Sequence, residues 1–138
     1  TEFSRINTWF DHNQPTNAKL LQRLPKEDYD KLLAACDIGL IFLDKDFLIP
    51  NFPSRLLSYL EMNIPVLAAT DPNTDIGDII EANNCGFKVL AGDQKEMQAK
   101  LNKLLTSNLS NLAENGKKLL YDNYTVDKSY DLIINKLK

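Results

Sequence analysis

Three short runs of strand length, at residues 38–43, 66–69 and (interrupted by Lys88) 87–90, constrain this chain more than any other feature. Each has the length of a β-strand, and each is followed by a longer stretch whose apolar residues recur at helical spacing. Strands separated by helices cannot pair as tight hairpins. They need crossovers, which return each strand parallel to the last and lay the helices on the sheet. The pattern predicts an α/β fold, a parallel sheet with helices on both faces.

The same reading extends along the chain. Phe3, Ile6 and Phe10 have helical spacing, so residues 1–13 read as a helix. Pro15, Thr16 and Asn17 break it, and residues 18–23 read as a further strand. Pro25 suits a first helical position, and Tyr29, Leu32, Leu33 and Cys36 would form the inner face of the helix it opens. The run at 38–43 reads as a strand buried on both faces. A loop over 44–52, containing Pro50, leads to Pro53 and a helix over 54–63, with Leu56, Leu57, Leu60 and Ile64 inward. Asp71-Pro72-Asn73 is turn chemistry, Asp75 is placed to cap a helix to about Asn84, and Gly86 to end it. Asp93 is the expected cap of a helix over 94–106, and two closing helices are expected over 110–123 and 126–137.

With 138 residues there is enough chain for one domain and one core. Sixteen basic against nineteen acidic residues leave a net charge of −3, which argues against a nucleic-acid footprint or a polybasic membrane patch. No apolar stretch approaches the roughly 20 residues of a membrane helix, and no basic segment precedes an apolar one as in a secretory leader. Cys36 and Cys85 stand in apolar company and are expected to be buried thiols. The chain opens on Thr1, which reads as a piece of a longer protein.

In an open α/β sheet, ligands bind beyond the carboxyl ends of the strands. Three loops qualify: Leu24-Pro25, residues 44–54 and residues 70–75. The second feeds a helix whose start reads Pro53-Ser54-Arg55. Backbone N–H groups at a helix start favour anions, and a hydroxyl and a guanidinium add donors suited to phosphate. Ser54, Ser58 and Glu61 share one helical face, either lining a cleft or simply solvated with Ser54 as a local cap. Asp44, Asp46, Asp71 and Asp75 fall on strand-end loops, where turn and capping roles compete with binding a cation or sugar hydroxyls. His12, near a helix end, reads as solvated, and Lys117-Lys118 as a solvated face. With one histidine and two separated cysteines, no zinc site of ordinary ligands is expected, and the five scattered glycines form no phosphate loop.

Two families share segments with this chain. DIGLIFLD and IPVLAAT resemble strands of response-regulator receiver domains, but the acidic pair and the Lys-Pro step of that family are missing. LPKEDYDKLLAACDIGLIFL, NFPSRLLSYLEMNIPVLAATD, DIGDIIEANNCGFKV and YDNYTVDKSYDLIINKLK, in that order, resemble family 4 glycosyltransferases in their Pro-Ser-Lys/Arg variant. The resemblance implies the C-terminal, donor-binding domain of a two-domain GT-B enzyme, Rossmann-like in fold. It implies a retaining transfer from a nucleotide-diphosphate sugar to a hydroxyl acceptor, without a bound metal or other cofactor. Arg55 would stabilise the leaving diphosphate, and Ser54 would orient the phosphates. Asn51, Phe52 and Pro53 would shape the donor-sugar pocket, Ser58 would reach the ribose, and Leu24 and Pro25 would touch the base.

The resemblance further implies a separate N-terminal acceptor domain and cytoplasmic polysaccharide or glycoconjugate synthesis in a bacterium. The full protein would make peripheral contact with the inner face of the membrane. Two departures stand out. The two glutamates of the family's Glu-x7-Glu motif fall on Pro50 and Ser58, and the opening strand-helix-strand of the family domain has no counterpart. The chain therefore reads as a single-domain fragment, residues 1–138, inactive in isolation, with bare sheet edges able to self-associate. A catalytically degenerate nucleotide-binding or interaction module on the same fold is the alternative.

Overall fold

The structure is a computed structural model and describes residues 1–46, 49 and 51–137. The elements run α1 (Glu2–Asn13), α2 (Lys26–Ala34), β1 (Gly39–Phe42), α3 (Arg55–Glu61), β2 (Val66–Thr70), α4 (Ile76–Ala82), β3 (Gly86–Leu90), α5 (Gln94–Thr106), α6 (Leu109–Asn123) and α7 (Val126–Leu137). The chain divides into two compact units, Thr1–Leu32 and Leu33–Lys138.

In the first unit, Thr1 caps α1 by accepting from the Ser4 N–H at 3.3 Å. Gln14 ends the helix in the left-handed conformation, its N–H returning to the Phe10 carbonyl. Residues 18–23 are not a strand. Leu20 and Leu21 are neighbours and would point to opposite faces of a pleated strand, and no described residue pairs with this segment. Pro25 does precede a helix, and its carbonyl accepts from the Tyr29 N–H.

The second unit is the expected α/β layer structure. Its three strands are all parallel, in the order β1-β2-β3, with Val66 paired to both Gly39 and Gly86. On one face Ile41, Val66 and Ala68 meet Leu56 and Leu60 of α3, Ile76 and Ile80 of α4 and Leu119 of α6. On the other, Leu67, Ala69 and Val89 meet Leu104, Met97 and Leu101 of α5. Every residue of β2 is buried, as a central strand covered on both faces requires.

β1 departs from expectation. It is an edge strand, and Leu40 and Phe42 are 38% and 62% exposed because α5 covers only the neighbouring strands on that face. Cys36 is also exposed, because α2 stops at Ala34 before its periodicity reaches that residue; only Cys85 is buried, and neither forms a disulfide.

Gly86 does not end α4 but opens β3. A Cβ there would lie 1.8 Å from the Val66 carbonyl oxygen, so the close approach of β2 and β3 requires glycine. The left-handed residue after α4 is Asn84 (φ 48°), and its carbonyl accepts from the Asn115 amide of α6 at 3.0 Å. Tyr59, not assigned to the core from spacing, is buried on α3. Its ring occupies the space a side chain at Gly39 would take, and its hydroxyl donates to the Leu40 carbonyl at 3.0 Å. Asp93 caps α5 as expected, accepting from the Glu96 N–H at 2.9 Å. Among the described residues, no helix is long and apolar enough to cross a membrane.

Candidate functional site

Parallel strands with returning helices place three helix starts at one edge of the sheet. α3 follows β1, α4 follows β2 and α5 follows β3, so the carboxyl ends of all three strands open onto the same rim. This is where an α/β sheet offers free N–H groups and positive helix ends to a ligand.

The expected residues of the 44–54 loop lie on this rim. Pro53 is half-buried, and its carbonyl accepts from the Leu56 N–H at 2.9 Å. Ser54 stands at the cap position of α3 with helical dihedrals, and its side chain makes no capping bond. The local-cap alternative is therefore not the geometry seen, and the hydroxyl is exposed. Arg55 is exposed and enters none of the ion pairs among the described residues. Ser58, one turn on, is half-buried, while Glu61 is exposed. Asn51 is exposed; Pro50 lies outside the described residues. Leu24 and Pro25 belong to the first unit, where Leu24 lines a concavity with Phe3, Leu21, Tyr29 and Leu32.

Phe52 has a contact that no local pattern signals. Its ring packs against Tyr124, at the end of α6, with centroids 5.3 Å apart and planes tilted by 46°. Burial raises the Tyr124 phenol above its ordinary value, and the negative charge of Asp75 pushes the same way. The loop after β1 and the end of α6 thus meet through Phe52 and Tyr124.

Two of the strand-end carboxylates serve as turn builders. Asp44 accepts from the Asp46 N–H at 3.0 Å. Asp71 is buried and accepts from the Asn73 and Thr74 N–H groups at 2.8 and 3.0 Å and from the Thr74 hydroxyl at 2.6 Å. The Thr74 hydroxyl holds the Asp71 carboxyl below its ordinary range; burial opposes this, and the backbone N–H groups add to it. Among the described residues, no group of three or more His, Cys, Asp or Glu side chains is gathered as a metal site would need.

Two concavities on the rim were not foreseen. One, of about 270 Å³, is apolar and lies between Phe42, Ala69, Val89, Met97 and Leu101, beside Gln94 at the start of α5. The other, of about 250 Å³, is charged: Lys88 pairs with Asp78, and Lys100 with Glu81 at 2.7 Å. Burial pushes the Glu81 carboxyl up, but the Lys100 hydrogen bond, the Lys88 N–H and both lysine charges outweigh it and hold it below its ordinary value. These charges come from three elements that meet only in the folded chain, so sequence spacing carries no sign of them.

The chain is similar to the probable glycosyltransferase WbjE of Pseudomonas aeruginosa, at 24% identity over 113 residues. The similar region is 82% of this chain and 28% of that protein, so the chain spans less than a third of the relative it matches. No protein-family model matches the chain. The similarity supports a relationship to glycosyltransferases, and the Rossmann-like parallel sheet accords with it.

Proposed function

We propose that this chain is the nucleotide-sugar-binding part of a retaining, GT-B-type glycosyltransferase of family 4. The observation that carries the reading is the similarity to a glycosyltransferase across most of this chain, coupled to the open rim on which Ser54 and Arg55 stand. The donor diphosphate would lie against the start of α3. As the glycosidic bond to the leaving nucleotide breaks, charge develops on the diphosphate, and the Arg55 guanidinium would stabilise it more in the transition state than in the ground state. The Ser54 hydroxyl, not engaged in capping, would donate to a phosphate oxygen. Asn51, Phe52 and Pro53 would wall the donor sugar, with Tyr124 holding the Phe52 ring in place. Ser58 would face the ribose. This chemistry needs no metal or cofactor.

The acceptor, a hydroxyl of a growing polysaccharide or glycoconjugate, would bind mainly on a separate N-terminal domain. The whole enzyme would work in the cytoplasm of a bacterium, in peripheral contact with the membrane. The isolated chain would bind donor without turning it over. A second reading, a degenerate nucleotide-binding or interaction module, draws on Pro50 and Ser58 standing where the family has glutamates.

Thermal unfolding with and without millimolar UDP or GDP tests both. A nucleotide at 100 times its dissociation constant stabilises by about 2.7 kcal/mol, which moves the midpoint by several degrees. A shift with one nucleotide that Arg55→Ala abolishes is the expected result. A shift unaffected by Arg55→Ala would remove Arg55 from the site, and no shift with either nucleotide would count against donor binding by this chain.

A further inference from the structure

We infer, on the donor-binding reading above, that Tyr124 is a positioning residue: by fixing the Phe52 ring it makes the site prefer a nucleotide-diphosphate sugar to the bare nucleoside diphosphate. Phe52 ends a stretch without regular structure and precedes Pro53. Proline confines the residue before it to extended backbone, which places the Phe52 Cβ but leaves the ring three staggered directions about χ1. The ring is 38% exposed, so burial alone does not choose among them. The contact with Tyr124, at 5.3 Å between centroids, does.

Tyr124 is the fixed partner of the two. It closes α6, its N–H bonded to the Leu120 carbonyl at 2.8 Å. Its half-buried ring packs against the cluster that holds Leu56 and Leu60 of α3 and Leu119 of α6. The same α3 carries Ser54 at its cap and Arg55 in its first turn. One buried cluster therefore sets both the helix start proposed for the diphosphate and, through Tyr124, the ring beside it. The two parts of the ligand are met by different chemistry. Ser54 and Arg55 offer a hydroxyl and a charge, which serve phosphate oxygens with or without a sugar attached. Phe52 offers only hydrocarbon, which suits the C–H face of a hexose and does nothing for a diphosphate. A ring pair of this kind favours its own geometry by about two- to twelvefold. Loss of Tyr124 therefore weakens binding of the sugar nucleotide by up to that factor and spares the diphosphate. The nucleoside diphosphate is the product of transfer, so the same contact sets how well product competes with donor.

Isothermal titration of this chain with UDP, UDP-glucose, GDP and GDP-mannose tests this. With one base, the sugar nucleotide should bind more tightly than the diphosphate. Tyr124→Leu should cut that preference about two- to tenfold while diphosphate affinity stays within about twofold of the parent, and Tyr124→Phe should keep it. Tyr124→Met replaces Tyr124→Leu if the latter melts below the assay temperature. Phe52→Leu should cut the preference at least as far, and adding Tyr124→Leu to it should cost nothing more. A Tyr124→Leu that weakens both ligands alike, a Tyr124→Phe that loses the preference, or costs that add in the double variant would overturn the positioning role. Diphosphate binding with no preference for the sugar nucleotide would overturn it as well. Binding of neither nucleotide would overturn the donor-binding reading and this inference with it.

Discussion

Replacing Gly86 by alanine puts the packing of the sheet to a direct test. The added methyl would fall 1.8 Å from the Val66 carbonyl oxygen, 2.7 Å from its carbon and 2.9 Å from the Val66 nitrogen. All three are backbone atoms, so no side chain can swing aside. The closest ordinary carbon–oxygen contacts in sheets are about 3.3 Å, so β2 and β3 must part locally by about 1.5 Å. Hydrogen bonds near 3 Å do not survive that, and the Val66 N–H bond to the Cys85 carbonyl, at 3.1 Å, is among those lost. Two bonds at about 1 kcal/mol each and an overpacking cost of about 1–3 kcal/mol give a total of about 3–5 kcal/mol. Against the 5–15 kcal/mol typical of a domain, that is a large part of the whole. Urea unfolding followed by circular dichroism should show a midpoint lower by about 1.5–2.5 M at a slope of about 2 kcal/mol/M. Gly92→Ala is the control. Its φ of 94° is unfavourable for alanine, but the nearest atom to its Cβ is a lysine methylene 3.7 Å away, so about 1 kcal/mol is expected. A Gly86→Ala loss no larger than the Gly92→Ala loss would refute the reasoning.

Two further outcomes follow from the titrating groups. The folded state lowers the Asp71 pKa, so the stabilisation from its charged form is present above the ordinary carboxylate range and is lost as pH falls through the lowered value. The melting temperatures of the parent and Asp71→Asn should therefore converge between pH 5 and pH 2; a gap constant with pH would contradict this. Burial pushes the Cys85 thiol up to about 11, whereas Cys36 is exposed. At pH 8 one thiol should react promptly with Ellman's reagent and the second only after unfolding; two prompt thiols would contradict the burial of Cys85.

The second unit was largely readable because its signals are local. Asp93 caps α5 from three residues away, and the fully apolar 66–69 run belongs to a strand covered on both faces. What escaped depends on partners distant in the chain. The apolar run of β1 looks like that of β2, yet only sheet order makes β1 an edge that leaves Phe42 bare. Residues 18–23 carry no β-branched or aromatic residue, and a strand exists only where a neighbour supplies a ladder. At the candidate site, the exposed Ser54 and Arg55 follow from the helix start that Pro53 announces. Tyr59 over Gly39 and Tyr124 against Phe52 join residues many positions apart, with no periodicity linking them.

At the β3 margin of the sheet, an outward main-chain donor is already engaged. The outward Lys88 N–H of β3 donates to the Glu81 carboxylate at 3.3 Å, and Lys100 Nζ holds that carboxylate at 2.7 Å. A sheet with two adhesive margins polymerises, because each added molecule presents a fresh one. The Glu81 side chain thus occupies, from a neighbouring helix, a main-chain donor that an added strand would need.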